Sequence, residues 1–166
     1  GLLLVVTGNE VRVVATDGHR LAYASEQIEE AQSRTEVILP RKTILELSRL
    51  LSDNDDVLDI RLSPNQAQFR FGDIELVSKL IDGKFPDYER VIPQSHNKVI
   101  TLPRTMLLQS LHRAAILTNE KFRGVRLVLA PGSMKIISNN ADQEEAQEEI
   151  EISYAAEALD IGFNVT

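Results

Sequence analysis

The sequence has no cysteine and no tryptophan, and only 5% of its residues are aromatic. Without cysteine the chain cannot form a disulfide, a thiolate nucleophile or a cysteine-ligated zinc site. Its three histidines, His19, His96 and His112, are far apart in the sequence and show none of the spacings of a metal-binding helix. We therefore expect neither a metal site nor a cofactor.

Long apolar runs are also absent. No stretch approaches the roughly 18 apolar residues that suggest a membrane span, and "GLLLVV" at the start lacks the basic flank of a signal peptide. The 166 residues, 43% hydrophobic and 26% charged, suit a cytoplasmic globular protein with one ordinary or two small domains. The chain lacks an initial Met and stops within "IGFNVT", so we expect a fragment of a longer protein.

The charges are unevenly distributed along the chain. A net charge of −7 by itself argues against a nucleic-acid partner. However, residues 98–126 carry six Lys or Arg against one acid, and residues 142–160 carry eight acids and no base. Either cluster alone is most simply solvated surface. Together they predict one basic and one acidic face.

Two segments resemble each other, "VILPRKTILELSRLL" from Val37 and "ITLPRTMLLQSLHRAAIL" from Ile100. Each has a β-branched run, then Leu-Pro-Arg, then a helical apolar pattern, and proline suits the first helical turn. Strand-like alternation follows each helix. The sequence thus predicts an α+β fold of repeated β-α-β-β-β units, with helices on one side of antiparallel sheets. In the first helix the apolar face is expected to hold Ile44, Leu47, Ser48 and Leu51.

Three blocks lie in order along the chain: "VATDGHRLA", "KLIDGKFPDYERVIP" and "AAILTNEKFRGVRL". With these blocks the whole chain resembles the bacterial DNA polymerase III β subunits, the sliding clamps. The resemblance implies a non-catalytic ring of two crescent-shaped subunits around DNA, with helices inside and sheets outside. By that comparison residues 1–92 are the larger part of the middle domain, and residues 93–166 are the first half of the C-terminal domain.

A clamp that slides must hold duplex DNA without reading its sequence, so its cations should contact phosphates. Most of the cations expected to face DNA lie on the exposed sides of the two predicted helices, and the last two follow the second helix. They are Arg41, Lys42, Arg49, Arg104, Arg113, Lys121 and Arg123.

The resemblance also implies a pocket for peptides of the polymerase α subunit, the clamp loader and other partners. The segments "TDGHRL" and "FPDYERV" would form its walls, with an apolar floor and arginines that grip the peptide. The expected pocket residues are Thr16, Gly18, His19, Arg20, Leu21, Pro86, Arg90 and Val91. Separately, Ile116 and Leu117 are expected to border the surface between the two subunits of the full-length homodimer.

Two alternatives remain open from the residues alone. A hydrolase or transferase could use Asp17, His19 and Arg20, although no Ser or Cys nucleophile with a recognisable motif stands beside them. A peptide-binding scaffold that never contacts DNA is compatible with the acidic composition.

Overall fold

The computed structural model describes residues 1–51, 57–119 and 121–166. These residues form two compact units, Gly1–Ile92 and Pro93–Thr166. Each unit combines antiparallel strands with an α-helix, so the predicted α+β class is confirmed. Among the described residues, no helix has the length and apolar character needed to cross a membrane.

A long antiparallel hairpin opens the first unit, made of β1 (Leu2–Thr16) and β2 (Leu21–Leu39). The two strands pair along most of their length, from Leu2 opposite Leu39 to the turn. The register shifts on either side of Gly8, which has a φ of +55°. Glycine adopts this left-handed conformation without a Cβ clash, which makes it suited to a bulge.

The first helix, α1 (Arg41–Leu50), starts directly after Pro40. The ring of this proline holds φ at −62°, and its missing N–H costs nothing at a helix start. The helix buries Thr43 and Leu47, and the Thr43 hydroxyl hydrogen-bonds Ser78 Oγ at 2.6 Å. The expectation for Ser48 is wrong, because that side chain is exposed.

A three-stranded antiparallel sheet completes the first unit, in the order β3-β4-β5. Its strands are β3 (Asp59–Leu62), β4 (Gln66–Phe71) and β5 (Ile74–Lys79). Alternation along β4 turns every second side chain inward. Its inward residues form one core with α1 and the hairpin: Leu4, Leu39, Leu47, Ala67, Phe69 and Phe71.

The hairpin buries its other face against the segment after β5, which includes a 3₁₀ turn at Tyr88–Arg90. A separate small core lies here, made of Leu3, Val5, Val14 and Tyr88. Because side chains alternate along a strand, β1 can supply both cores at once.

The second unit packs α2 (Arg104–Ile116) against a four-stranded antiparallel sheet in the order β8-β7-β6-β9. Its core is built around Ala114, Met134 and Ile136, which are fully buried. Ser138 Oγ, also buried, donates a 2.7 Å hydrogen bond to the Ala114 carbonyl and joins helix to sheet. The strands are β6 (Gly124–Ala130), β7 (Ser133–Asn139), β8 (Glu145–Glu151) and β9 (Leu159–Asn164).

One detail of the repeat differs between the two units. The β-branched run before α1 is the end of β2, whereas Ile100–Leu102 before α2 is not in a strand. Ile100 and Leu102 still pack against the core of the second unit. The alternation of inward and outward side chains is present there, but no strand among the described residues pairs with it.

Candidate partner groove and cationic helix faces

A groove of about 640 Å³ lies in the first unit, between the β1–β2 turn and the segment after β5. We call it the partner groove. It is lined by Thr16, Asp17, Gly18, His19, Arg20, Leu21, Pro86, Tyr88 and Val91. The structure thus brings together every residue predicted for the pocket except Arg90, which forms an ion pair with Asp87 at 2.9 Å. Asp17 and Tyr88 lie within the two predicted wall segments and also line the groove, although they were not among the expected pocket residues.

The turn that forms the first wall is held by its own side chains. Thr16 Oγ1 donates to the Arg20 carbonyl at 2.8 Å and accepts from the Gly18 amide at 3.1 Å. Asp17 Oδ1 accepts from the amides of His19 and Arg20, each at 3.0 Å. Gly18 has a φ of +88°, which a residue with a Cβ adopts only under strain. The residue types of "TDGHR" are therefore those that this tight turn requires.

Asp17 is held in its ionised form. Hydrogen bonds from the backbone amides of His19 and Arg20, and then from the Arg20 side chain, lower the pKa of Asp17 to about 2. The Arg20 Nε lies 3.1 Å from Asp17 Oδ2. The Asp17 carboxylate thus binds backbone amides of the turn and the Arg20 side chain. Within the described structure, it contacts His19 through the backbone amide and not through the imidazole ring. This geometry does not favour the hydrolase reading, in which an acid orients the imidazole.

The second wall combines exposed and buried side chains. Val91 is 67% exposed and faces the groove, and Leu21 is half-buried at its floor. Tyr88 is 7% exposed and reaches both the groove and the small core beneath it. Apolar surface thus runs continuously from the core to the groove, as expected of a site for apolar side chains.

Arg41 lines a smaller cavity of about 380 Å³ on the β1–β2 turn. This cavity shares Thr16, Asp17, Arg20 and Leu21 with the partner groove. The start of α1 and the groove wall therefore meet at one turn.

The cations predicted on the two helices are exposed, but their environments differ. Arg41, Lys42 and Arg104 have no ion-pair partner within the described part of the chain. Arg49 is paired with Glu46 on its own helix. Arg113 donates through two guanidinium nitrogens to Glu148 of β8, at 3.0 and 2.6 Å. The charge of Arg113 is therefore already largely balanced.

Lys121 and Arg123 lie in the loop between α2 and β6, outside either helix. Asn119 shapes this loop, because its Oδ1 accepts from the Lys121 and Phe122 amides. The Lys121 ammonium sits 5.6 Å from the ring of Phe122. Ile116, at the end of α2, is 78% exposed, while its neighbour Leu117 is partly buried.

Comparison with known proteins identifies the family. A model of the DNA polymerase III beta subunit, central domain, matches residues 1–87, and a model of the C-terminal domain of that subunit matches residues 89–166. The chain belongs to the DNA polymerase III beta subunit family.

Individual members of this beta subunit family are close in sequence. The beta sliding clamps of Pseudomonas putida KT2440 and Escherichia coli K12 are 49% and 45% identical to the chain over 100% of its length. The chain spans 46% and 45% of these two relatives, about half of their length.

Solved structures of beta subunits share the fold. The DNA polymerase sliding clamp of Pseudomonas aeruginosa matches with a TM-score of 0.92 and 49% identity, over 99% of this chain and 46% of that one. Another structure shows the same organism's sliding clamp bound to griselimycin, with a TM-score of 0.91, 49% identity, and coverage of 99% of this chain and 45% of that one. The clamp fold and the family predicted from "VATDGHRLA" and its two companion blocks are confirmed.

Two features of this beta subunit groove had only weak signals in the sequence. Tyr88 lies between the predicted wall residues Pro86 and Val91, but a lone tyrosine does not reveal which face it takes. Arg12 reads as one polar position in an alternating strand. In the structure its guanidinium contacts Glu10 at 2.7 Å and Glu89 at 3.5 Å, directly behind the second wall.

Proposed function

We propose that the chain is part of a DNA sliding clamp subunit, a processivity factor without catalytic activity of its own. In the complete protein, two subunits would form a ring around duplex DNA and tether DNA polymerase III alpha, clamp-loader subunits and other peptide-bearing partners. The observation that carries this proposal is the match of both beta subunit domain models along the chain. Residues 1–92 would belong to the middle domain and residues 93–166 to the first half of the C-terminal domain.

The partner groove is our proposed peptide site. Its support is an apolar floor at Leu21 and Val91, bordered by a turn that is fixed by hydrogen bonds before any ligand arrives. A pre-formed site loses less entropy on binding. A P. aeruginosa clamp binds griselimycin, and we propose that this compound occupies the partner groove here. Arg90, 86% exposed in its side chain, is free to swing toward a bound peptide if its pairing with Asp87 is exchanged.

The cations that we propose to contribute most to DNA contact are Arg41, Lys42 and Arg104. Their exposure without an ion pair among the described residues leaves each charge available for a phosphate. Releasing counterions from phosphates gives affinity without sequence preference, as sliding requires. Arg49 and Arg113 must exchange Glu46 and Glu148 for phosphate, so we expect smaller contributions from them. Lys121 and Arg123 would contribute from the loop after α2.

Retention on circular DNA tests this proposal. The complete protein is loaded onto nicked circular duplex by its clamp loader, and its lifetime on DNA is measured across a salt series. The double variant Lys42→Glu and Arg104→Glu should shorten the lifetime about five-fold or more at low salt. It should also flatten the salt dependence, because each lost phosphate contact lowers the slope by about 0.9.

The matched control is Arg61→Glu with Arg70→Glu, which makes the same charge change on exposed positions of β3 and β4. Its lifetime should stay near that of the unaltered protein. An equally shortened lifetime on DNA in both double variants would contradict the assignment of the helix cations. Linearising the circle should release the protein, since a ring is held topologically. A protein that binds griselimycin but never loads would instead be the DNA-independent scaffold.

A further inference from the structure

Beyond the groove residues themselves, the structure holds a charged cluster behind the second groove wall. Arg12 lies on β1, on the same face as the fully buried Val14. Its guanidinium donates to Glu10 Oε2 at 2.7 Å and lies 3.5 Å from Glu89 Oε1. Glu89 stands in the 3₁₀ turn between Tyr88 and Arg90. The Arg12 side chain, 26% exposed, therefore bridges the hairpin and the wall.

Side chains join the wall to the hairpin at this point. The amides of Val91 and Ile92 both donate to the Tyr88 carbonyl, within the wall itself. Contact with the hairpin comes from side chains, with Tyr88 packed against Val14 and tilted against the ring of Tyr23, 6.3 Å away. A wall held by side chains can shift when one of those contacts is lost.

The local charge balance makes Arg12 hard to replace. The hydrogen bond between Arg12 and Glu10 raises the pKa of Arg12, with a smaller contribution from Tyr88. The Arg12–Glu10 bond also lowers the pKa of Glu10. Arg12 Nε is buried without a hydrogen-bond partner in the described structure. An unpaired buried donor costs free energy. The Nε group therefore does not stabilise the position of this guanidinium. The contacts that Arg12 makes are those at its two terminal nitrogens, toward Glu10 and the wall.

We propose that Arg12 is a positioning residue for the partner groove: it fixes the position of the Pro86–Val91 wall by joining Glu89 to β1. This inference rests on the proposed function of the groove. Arg12 does not line the groove, so its effect on a ligand passes through the wall. Removing its charge leaves Glu10 and Glu89 without their shared cation, and the wall should move away from β1.

Griselimycin binding to the complete protein, measured by calorimetry, provides the first test. Arg12→Gln should raise the Kd about ten-fold, because Glu10 and Glu89 lose the cation that they share and then repel each other, which displaces the wall. Arg12→Lys, which keeps the charge, should recover part of the loss. Adding Glu89→Gln to Arg12→Gln should also recover part of the loss, since it removes one of the two carboxylates that repel each other. Arg61→Gln, an exposed arginine on β3, is the control and should leave the Kd unchanged.

Amide hydrogen exchange provides the second test and needs no ligand. In Arg12→Gln, exchange at residues 86–92 should accelerate about ten-fold or more, while β4 and α1 stay protected. Uniform acceleration across the unit, or unchanged exchange with an unchanged Kd, would overturn the proposal. Val91→Asp, within the groove, should abolish binding. If it does not, the groove assignment fails, whereas the exchange data still decide whether Arg12 holds the wall.

Discussion

At the scale of single residues, Asp17 decides the shape of the first groove wall. Its carboxylate accepts three hydrogen bonds, two from backbone amides and one from Arg20. These bonds are stronger when the group is ionised, and they therefore lower its pKa from the ordinary value of 3.8 to about 2. A group whose pKa is depressed on folding stabilises the fold above its unfolded pKa and loses that contribution as pH falls toward its folded pKa.

We therefore expect the turn to remain formed well below pH 3.8 and to loosen only near pH 2. Amide chemical shifts of His19 and Arg20, followed by NMR during an acid titration, should report a midpoint near pH 2. In Asp17→Asn this transition should disappear, and the two amide resonances should already lie at shifted positions at pH 7. A midpoint of the His19 amide shift near the ordinary value of 3.8 would contradict the stated role of Asp17.

What the sequence could predict at this scale depended on local chemistry. The turn residues Thr16 to Leu21 were recognisable because "TDGHR" specifies a turn through its own side chains. Arg12 was not recognisable, since its partners Glu10 and Glu89 lie on different elements. The resemblance to sliding clamps implied that Arg90 belongs to the pocket. In the structure Arg90 pairs with Asp87, because neighbouring residues of a 3₁₀ turn point in different directions.

At the scale of elements, periodicity predicted both helices and most strands, and failed where burial does not follow a single pattern. Most of β2 is exposed, so its long central part lacks apolar alternation and its length was not foreseen. In α1, Thr43 takes a buried position because Ser78 satisfies its hydroxyl. A single sequence gives no sign that such a partner exists.

The contact between Ser138 and α2 gives a test at the same scale. Ser138→Ala should destabilise the second unit by about 1–2 kcal/mol, because the buried Ala114 carbonyl loses its donor. Urea unfolding of the 166-residue chain, followed through residue-resolved exchange in α2 and β7, measures this loss. The control is Ser153→Ala at an exposed position. A loss below about 0.3 kcal/mol would mean that the helix is held to the sheet by apolar packing alone.

At the scale of the whole molecule, the separation of basic helices from acidic sheets is incomplete. Glu148 lies on β8 two residues before the buried Ile150, so strand alternation places both on the side that faces α2, and Glu148 pairs with Arg113 there. Asp160 of β9 pairs in turn with Arg126 of β6. Part of the acidic cluster therefore balances cations within the unit. This leaves fewer helix charges for DNA than the sequence count suggests, and shifts the expected phosphate contacts toward Lys42, Arg41 and Arg104.

The end of α2 provides the last prediction, which concerns the proposed subunit interface. Ile116 is 78% exposed beside the partly buried Leu117, and the resemblance to sliding clamps implies that both border the surface between subunits. Ile116→Lys should weaken dimerisation of the complete protein at least ten-fold, because an interface that buries this side chain would have to desolvate a charge. Lysine is favourable at a helix C-terminus, so loss of the helix is not the expected cause.

Met106→Lys makes the same change on an exposed position near the start of α2 and should leave the dimer intact. Sedimentation at a series of concentrations separates these outcomes, and equal dissociation constants for the two variants would exclude Ile116 from the interface.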